Sequence, residues 1–296
     1  MSSLNDVQDP KMSRWRTIGM GERISKAIAV VLLITGSIVF LIPFYTAATI
    51  SLKTESEMAK TTGWSLPQHP TLDNYHEVLF NTTNINFVRC FANSTVIALL
   101  ATIGVLLSSS LVAYGFARLR FKGRDRLFVV ALSTMMLPFM ITVIPSYLLF
   151  SKLHWVNTFL PLVVPAFCGG GAFNIFLLRQ FFMSIPRELD EAALIDGASH
   201  FTIWRKIIMP LSKTALATVG VFSFIYNWKD FFNQLIYLND NSKATLELAL
   251  ATYNGIQAQK YHLLMAGSVI VMIPLVVIFF IGQRYLVKGI SMTGIK

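Results

Sequence analysis

Residues Ser184–Leu211 read SIPRELDEAALIDGASHFTIWRKIIMPL. The chain is 54% hydrophobic and only 14% charged, and this is its longest run that hydrocarbon cannot accept. It holds Arg187, Glu188, Asp190, Glu191, Asp196, Arg205 and Lys206. The pattern nevertheless predicts folded structure. Ser184 is placed to cap a helix whose first turn holds Pro186, Glu188 and Asp190, with Glu191 just beyond; a fixed φ and negative charge both suit a helix N-terminus. Leu189, Ala192, Ala193 and Ile195 follow at helical spacing as an apolar stripe. Gly197 breaks the helix, since a positive φ costs little only at glycine. Phe201, Trp204, Ile207 and Ile208 make a second apolar face, which Pro210 closes. The prediction is helix, glycine turn, helix.

Outward from this stretch the chain is greasy. Its 296 residues have a mean hydropathy of +0.58, and soluble domains carry roughly 25% charged residues. Uncharged or nearly uncharged segments lie at Ala27–Leu52, Cys90–Ala117, Leu127–Ser151, Leu153–Leu178, Thr214–Leu238 and Tyr261–Gln283. Each is long enough to cross a ~30 Å hydrocarbon core. The first exceeds a signal peptide's apolar region of ~7–15 residues, so it is read as an uncleaved span. The predicted fold is all-α: a polytopic membrane protein of six transmembrane helices. A basic segment 1–26, unstructured at its start, precedes the permeation domain 27–283, and a basic tail 284–296 follows it. Prolines 138 and 145 predict a shaped or hinged third span. Gly169–Gly171 lacks the Lys-Ser/Thr of a phosphate loop and predicts close helix packing.

The net charge of +10 raises nucleic acid as a partner, and its distribution argues against it. Eighteen basic residues fall on the face holding both termini, the 118–126 turn and Ser184–Leu211, against seven on the other face. By the positive-inside rule both termini and the helix-glycine-helix stretch are cytoplasmic. The five histidines show no ligand spacing, so no metal site is expected. Cys90 and Cys168 read as small packing residues. No G-x-x-x-x-G-K-[ST] exists, so the chain has no nucleotide cradle. An ion-driven carrier would usually hold carboxylates or broken helices at mid-membrane, and here the only ionisable residues interrupting a span, apart from His154 and His262 near ends, are Lys229 and Asp230.

Glu191-Ala192-Ala193, Asp196-Gly197-Ala198, Ile208 and Pro210 resemble the EAA loop of permease subunits in bacterial binding-protein-dependent ABC importers. The words Ala113–Phe121 (AYGFARLRF), Trp228–Phe232 (WKDFF) and the tail Gln283–Lys296 narrow the resemblance to carbohydrate-type importers. Within these the chain is similar to the smaller permease, the maltose importer's second permease subunit. The resemblance implies a non-catalytic subunit of the bacterial inner membrane, paired with a homologous permease, two ATPase subunits and an extracytoplasmic binding protein. ATP and Mg would be bound by the ATPases, and no cofactor by this chain. Glu191, Ala192, Ala193, Asp196, Gly197, Ala198, Ile208 and Pro210 would then couple ATPase closure to the membrane helices. Two other classes weighed against this reading are a self-sufficient secondary carrier and a permease for another small solute.

Phe222, Tyr226, Lys229, Asp230 and Asn233 recur at the spacing of one helical face. Aromatic and hydrogen-bonding groups together suit either a sugar path or packing against a partner permease. The family commonly has Asn where Lys229 stands, and the added charge points to an acidic, alginate-type oligosaccharide, to an ion pair with Asp230, or to snorkelling at the interface. In the outer loop Asn239–Lys260, a turn with Tyr253, Asn254, Gly255 and Gln257 is read either as a binding-protein contact or as a solvated connector.

Overall fold

A computed structural model describes residues 20–80, 85–256 and 260–293. Among them there is no β-strand. The helices run in the order α1 (Met20–Ser51), α2 (Glu55–Met58), α3 (Asp73–Phe80), α4 (Phe87–Arg118), α5 (Arg124–Ser133), α6 (Phe139–Lys152), α7 (Leu160–Val163), α8 (Ala172–Ser184), α9 (Glu188–Ile195), α10 (His200–Ile203), α11 (Met209–Leu211), α12 (Lys213–Trp228), α13 (Phe232–Tyr237), α14 (Leu246–Ile256) and α15 (Tyr261–Thr293).

Four helical stretches are long and apolar enough to span a membrane: Ile24–Ser51, Phe87–Arg118, Leu160–Ser184 and Tyr261–Tyr285. Two bent pairs raise the number to as many as six. The expected third span is not one rod. It breaks by 97° between Met136 and Phe139, where Pro138 has no N–H to offer and Leu137 before it is extended (ψ 120°). Pro145 stays inside α6. The expected fifth span, Thr214–Leu238, is also divided, because α12 ends at Trp228 and α13 begins only at Phe232; a bend of 82° precedes α12, between Leu211 and Lys213. The fourth is displaced toward the C-terminus: residues 153–159 form a turn, with positive φ at His154 (56°) and Asn157 (61°). The Asn157 Oδ1 accepts from the backbone of Asn239 and Asp240, and Lys243 Nζ donates to the Asn157 carbonyl at 2.6 Å.

α4 is the central post. It packs along α8 and α12, with α15 on the far side of α12 and α1 on α15. Small residues permit this closeness. Ser108 Oγ donates to Ala166 O at 2.7 Å, and a Cβ on Gly170 would fall 2.8 Å from Val105 O. All three glycines of the triplet have positive φ. The triplet is therefore a turn first, and a close approach at Gly170 alone. Cys90 is buried, as a packing residue should be, whereas Cys168 is exposed.

The core has two parts. One gathers Tyr114, Phe182, Ile203, Trp204 and Ile208 at the end bearing Ser184–Leu211. The other gathers Phe87, Trp228, Leu246, Tyr253 and Leu263 at the opposite end. Trp228 is 1% exposed, its Nε1 donating to Val271 O at 3.1 Å. At this second end Lys53 is fully buried, its ammonium held by Thr62 O (2.7 Å), Ser65 Oγ (2.8 Å) and Thr61 Oγ1 (3.2 Å). The polar stretch after α1 is thereby folded rather than slack. In the segment expected as an outer loop, Leu246–Ile256 is a helix, not a turn, with Leu246 and Ala249 in the core. α15 runs without a break through Arg284 to Thr293, so the expected tail begins as helix.

Candidate functional site

The helix-glycine-helix prediction is realised with different caps. Ser184 ends α8 and donates its Oγ to Phe181 O, so it does not cap α9. Ile185 is extended, as a residue before proline prefers. α9 begins after Arg187, with Glu188, Asp190 and Glu191 in its first turn. It closes in a Schellman arrangement: Ala198 N–H donates to Ala193 O (2.9 Å) and Gly197 N–H to Leu194 O (3.0 Å), with Gly197 at φ 79°. Ser199 caps the second helix, accepting from Thr202 N–H. That helix does not stop at Pro210. Trp204–Ile208 widens into a π turn, and the chain stays helical to Leu211. The wider turn lies directly upstream of Pro210, whose ring would clash with the carbonyl four residues before it.

The stripe on α9 faces opposite to a core-seeking expectation. Leu189 and Ile195 are 40% and 87% exposed, and Ala192 is exposed with them. Glu191, Asp196 and Gly197 share that exposed side, as does Pro210 on the second helix, whereas Ala193 and Ala198 are half-buried and Ile208 is fully buried. The hairpin thus has a root in the membrane-facing core and an outward surface of small, apolar and acidic groups.

Arg118 fastens that root. Its side chain is 2% exposed. Nη2 donates to Phe182 O (2.7 Å) and Ile185 O (2.8 Å), the carbonyls at the end of α8, and Nη1 lies 3.5 Å from Asp190 Oδ2 on α9. Tyr114 OH, one turn earlier on α4, is 3.4 Å from His200 Nδ1. Burial pushes the Asp190 carboxyl above its ordinary value, against the opposing pull of Arg118. From the sequence Arg118 counted only as a topology-setting charge. Its place in the AYGFAR word was the available signal.

Along the bundle, α4, α6, α7, α8, α12 and α13 enclose a cavity of about 600 Å³. Phe222, Tyr226, Asp230 and Asn233 all line it, although the helix ends between Trp228 and Phe232, so they meet by a break rather than by one continuous face. Asn233 Nδ2 donates to Asp230 Oδ2 at 2.9 Å, fixing the carboxylate. The walls also contain Phe139, Phe150, Phe173, Asn174, Asn227 and Tyr237, which the helical spacing of the fifth span does not select. Asp230 is the one formally charged side chain on the wall. Lys229 is not among the lining residues. It is exposed, and it is the charge that opposes the upward push of burial on Glu247. The side chain therefore lies toward α14, not into the cavity, and no ion pair with Asp230 forms.

In the expected binding-protein contact, Tyr253 is 7% exposed within the second core. Asn254 and Gly255 continue the helix α14, and Gln257 lies outside the described residues.

Fold and site together define a class: a polytopic helical membrane protein with a central polar-aromatic cavity and a folded polar hairpin at one end. Residues 104–292 match the family of binding-protein-dependent transport system inner membrane components, and the chain belongs to this family of ABC transporter permeases. It is 35% identical over 230 residues to the arabinooligosaccharides transport system permease protein AraQ of Halalkalibacterium halodurans, covering 78% of this chain and 81% of that one. With the trehalose/maltose transport system permease protein MalG of Thermococcus litoralis it shares 34% over 227 residues, 76% and 81% of the two chains. In fold it is similar to a chain from the crystal structure of a bacterial ABC transporter involved in import of the acidic polysaccharide alginate. That match has a TM-score of 0.80 at 24% identity and covers 91% of this chain and 99% of the other.

Proposed function

We propose that this chain is the smaller of two permeases in a bacterial inner-membrane importer, that it passes an oligosaccharide delivered by an extracytoplasmic binding protein, and that it takes its energy from partner ATPases docked on the hairpin. The observation that carries this reading is the hairpin itself. An exposed surface of Leu189, Ala192 and Ile195 stands on a root clamped by Arg118. A rigid knob with a small-residue face suits a cleft on another protein, because close approach needs short side chains and a fixed backbone. The asymmetry of basic residues supports placing this end and both termini in the cytoplasm. ATP and Mg then belong to the partners, and the second permease faces this one across the substrate path.

The cavity supports an uncharged sugar. Ring C–H faces can stack on Phe222, Tyr226 and Tyr237, and hydroxyls can bond Asn174, Asn227 and Asp230. A second reading, an acidic oligosaccharide, has the alginate transporter's similar fold and Lys229 in its favour. The carboxylate on the wall and the outward course of Lys229 weigh toward the neutral substrate. The test is reconstitution in liposomes of this chain alone, then with the second permease, ATPases and binding protein. ATP-dependent uptake of a labelled neutral oligosaccharide by the full set only is expected. Uphill uptake by this chain alone on an ion gradient would falsify the reading.

A further inference from the structure

The 118–126 turn does more than set topology. Arg120, Lys122, Arg124 and Arg126 surround a basin of about 700 Å³, and Arg187, from the segment leading into α9, closes its other side. The one acid there, Asp125, is already engaged: Arg124 Nε lies 3.0 Å and Arg179 Nη2 3.7 Å from its Oδ1. Arg120, Lys122, Arg126 and Arg187 are all exposed, and among the described residues none of their side chains makes a hydrogen bond or close ion pair. Gly123, at φ 83°, starts α5 without a side-chain cap, so the helix's positive end opens at the same place. Three such cations from one turn, with Arg187 beside them and also within the field of Asp190, make a strong anion trap.

The basin's surroundings identify the anion. α5 leaves it directly with Leu127 and Val130 exposed at 54% and 62%, on a helix that enters the apolar part of the bundle. A soluble phosphate needs no apolar wall beside its site. A phospholipid does, because its acyl chains must continue from where its phosphate is held. We propose that this basin binds the phosphodiester headgroup of an anionic phospholipid, whose chains lie along α5, and that the lipid joins the 118–126 turn to Arg187 at the entry to the hairpin. The assembled complex is that of the importer reading, but retained lipid is counted separately from transport, so failure of one leaves the other standing.

The test uses the assembled complex in nanodiscs of mixed phosphatidylglycerol and phosphatidylcholine, with tightly held lipid counted by native mass spectrometry. The paired change Lys122→Gln and Arg126→Gln should lower retained phosphatidylglycerol several-fold, while Lys213→Gln with Arg284→Gln, cations outside the basin, should leave it unchanged. Arg187→Gln alone should give a partial loss, and serves if the paired variant fails to assemble. Inorganic phosphate should not displace the lipid. Equal loss from the control pair would reduce the basin to diffuse surface charge, and displacement by phosphate would make it a soluble-anion site. Unchanged lipid with loss of ATPase co-purification would make it a protein-docking surface. Each of these outcomes overturns the proposal.

Discussion

Arg118 Nη1 and Asp190 Oδ2 stand 3.5 Å apart across the junction between a membrane helix and the hairpin. The same guanidinium holds the last carbonyls of α8, so one buried side chain ties three elements: α4, α8 and α9. A movement of the hairpin must either carry α4 and α8 with it or strip a buried charge of its partners. Arg118 Nε and Asp190 Oδ1 have no hydrogen-bond partner, so no spare bonds exist to soften that choice. Movement as a unit is the cheaper outcome.

Arg118→Met should therefore uncouple rather than unfold. It removes a buried charge, and the cost should lie between the ~0–1 kcal/mol of an exposed ion pair and the ~3–5 kcal/mol of a fully buried one. ATP hydrolysis by the assembled complex should persist while uptake per ATP falls several-fold. Equal loss of hydrolysis and uptake would point to failed assembly instead.

The acid end of the pH range offers a separate reading of the same pair. Burial raises the Asp190 carboxyl above its unfolded value, so the folded state holds that proton more tightly. For this group stability is greatest below the ordinary carboxylate pKa and lessens as pH rises through the raised value. Asp190→Asn should flatten that portion of the melting temperature against pH curve. An unchanged slope in the variant would show that other groups set it.

Gly170→Ala tests the post. At φ 65°, with a new Cβ 2.8 Å from Val105 O and 2.9 Å from Ser109 Cβ, the substitution meets strain and overlap together, for a cost of roughly 2–4 kcal/mol. Lower yield and a lower melting temperature are expected. Gly171→Ala meets only Asn174 Nδ2 at 3.8 Å and should lose only the strain part. Equal penalties would refute the close-packing account.

The hairpin, the apolar segments and most of the cavity's fifth-span residues were legible in the sequence because periodicity and glycine placement are local signals. The breaks were not. Pro138 was visible as a kink, but a 97° bend depends on what packs around it: Phe139 on Phe232, and Tyr147 stacked on Tyr237. Lys229 illustrates the same limit. Helical spacing placed it with Tyr226 and Asp230, and the end of α12 at Trp228 rotated it out. Arg118 was misjudged for a related reason, since a sequence gives an arginine's charge but not the carbonyls it meets.

Lys229 and Asp230 separate the two substrate readings. Lys229 is outside the cavity and Asp230 is on its wall, so Lys229→Gln should leave the KM and rate of sugar uptake within about twofold. Asp230→Asn keeps the shape but removes the charge and loosens the grip of Asn233. A lost charge-assisted hydrogen bond of ~1.5–3 kcal/mol should raise KM or lower kcat by about ten- to a hundredfold. For an acidic oligosaccharide the signs reverse: Asp230→Asn relieves repulsion and improves uptake, and Lys229→Gln impairs it. Side-by-side kinetics with a neutral and a uronic-acid oligosaccharide distinguish these outcomes, and a loss in Lys229→Gln confined to the acidic sugar would overturn the neutral assignment.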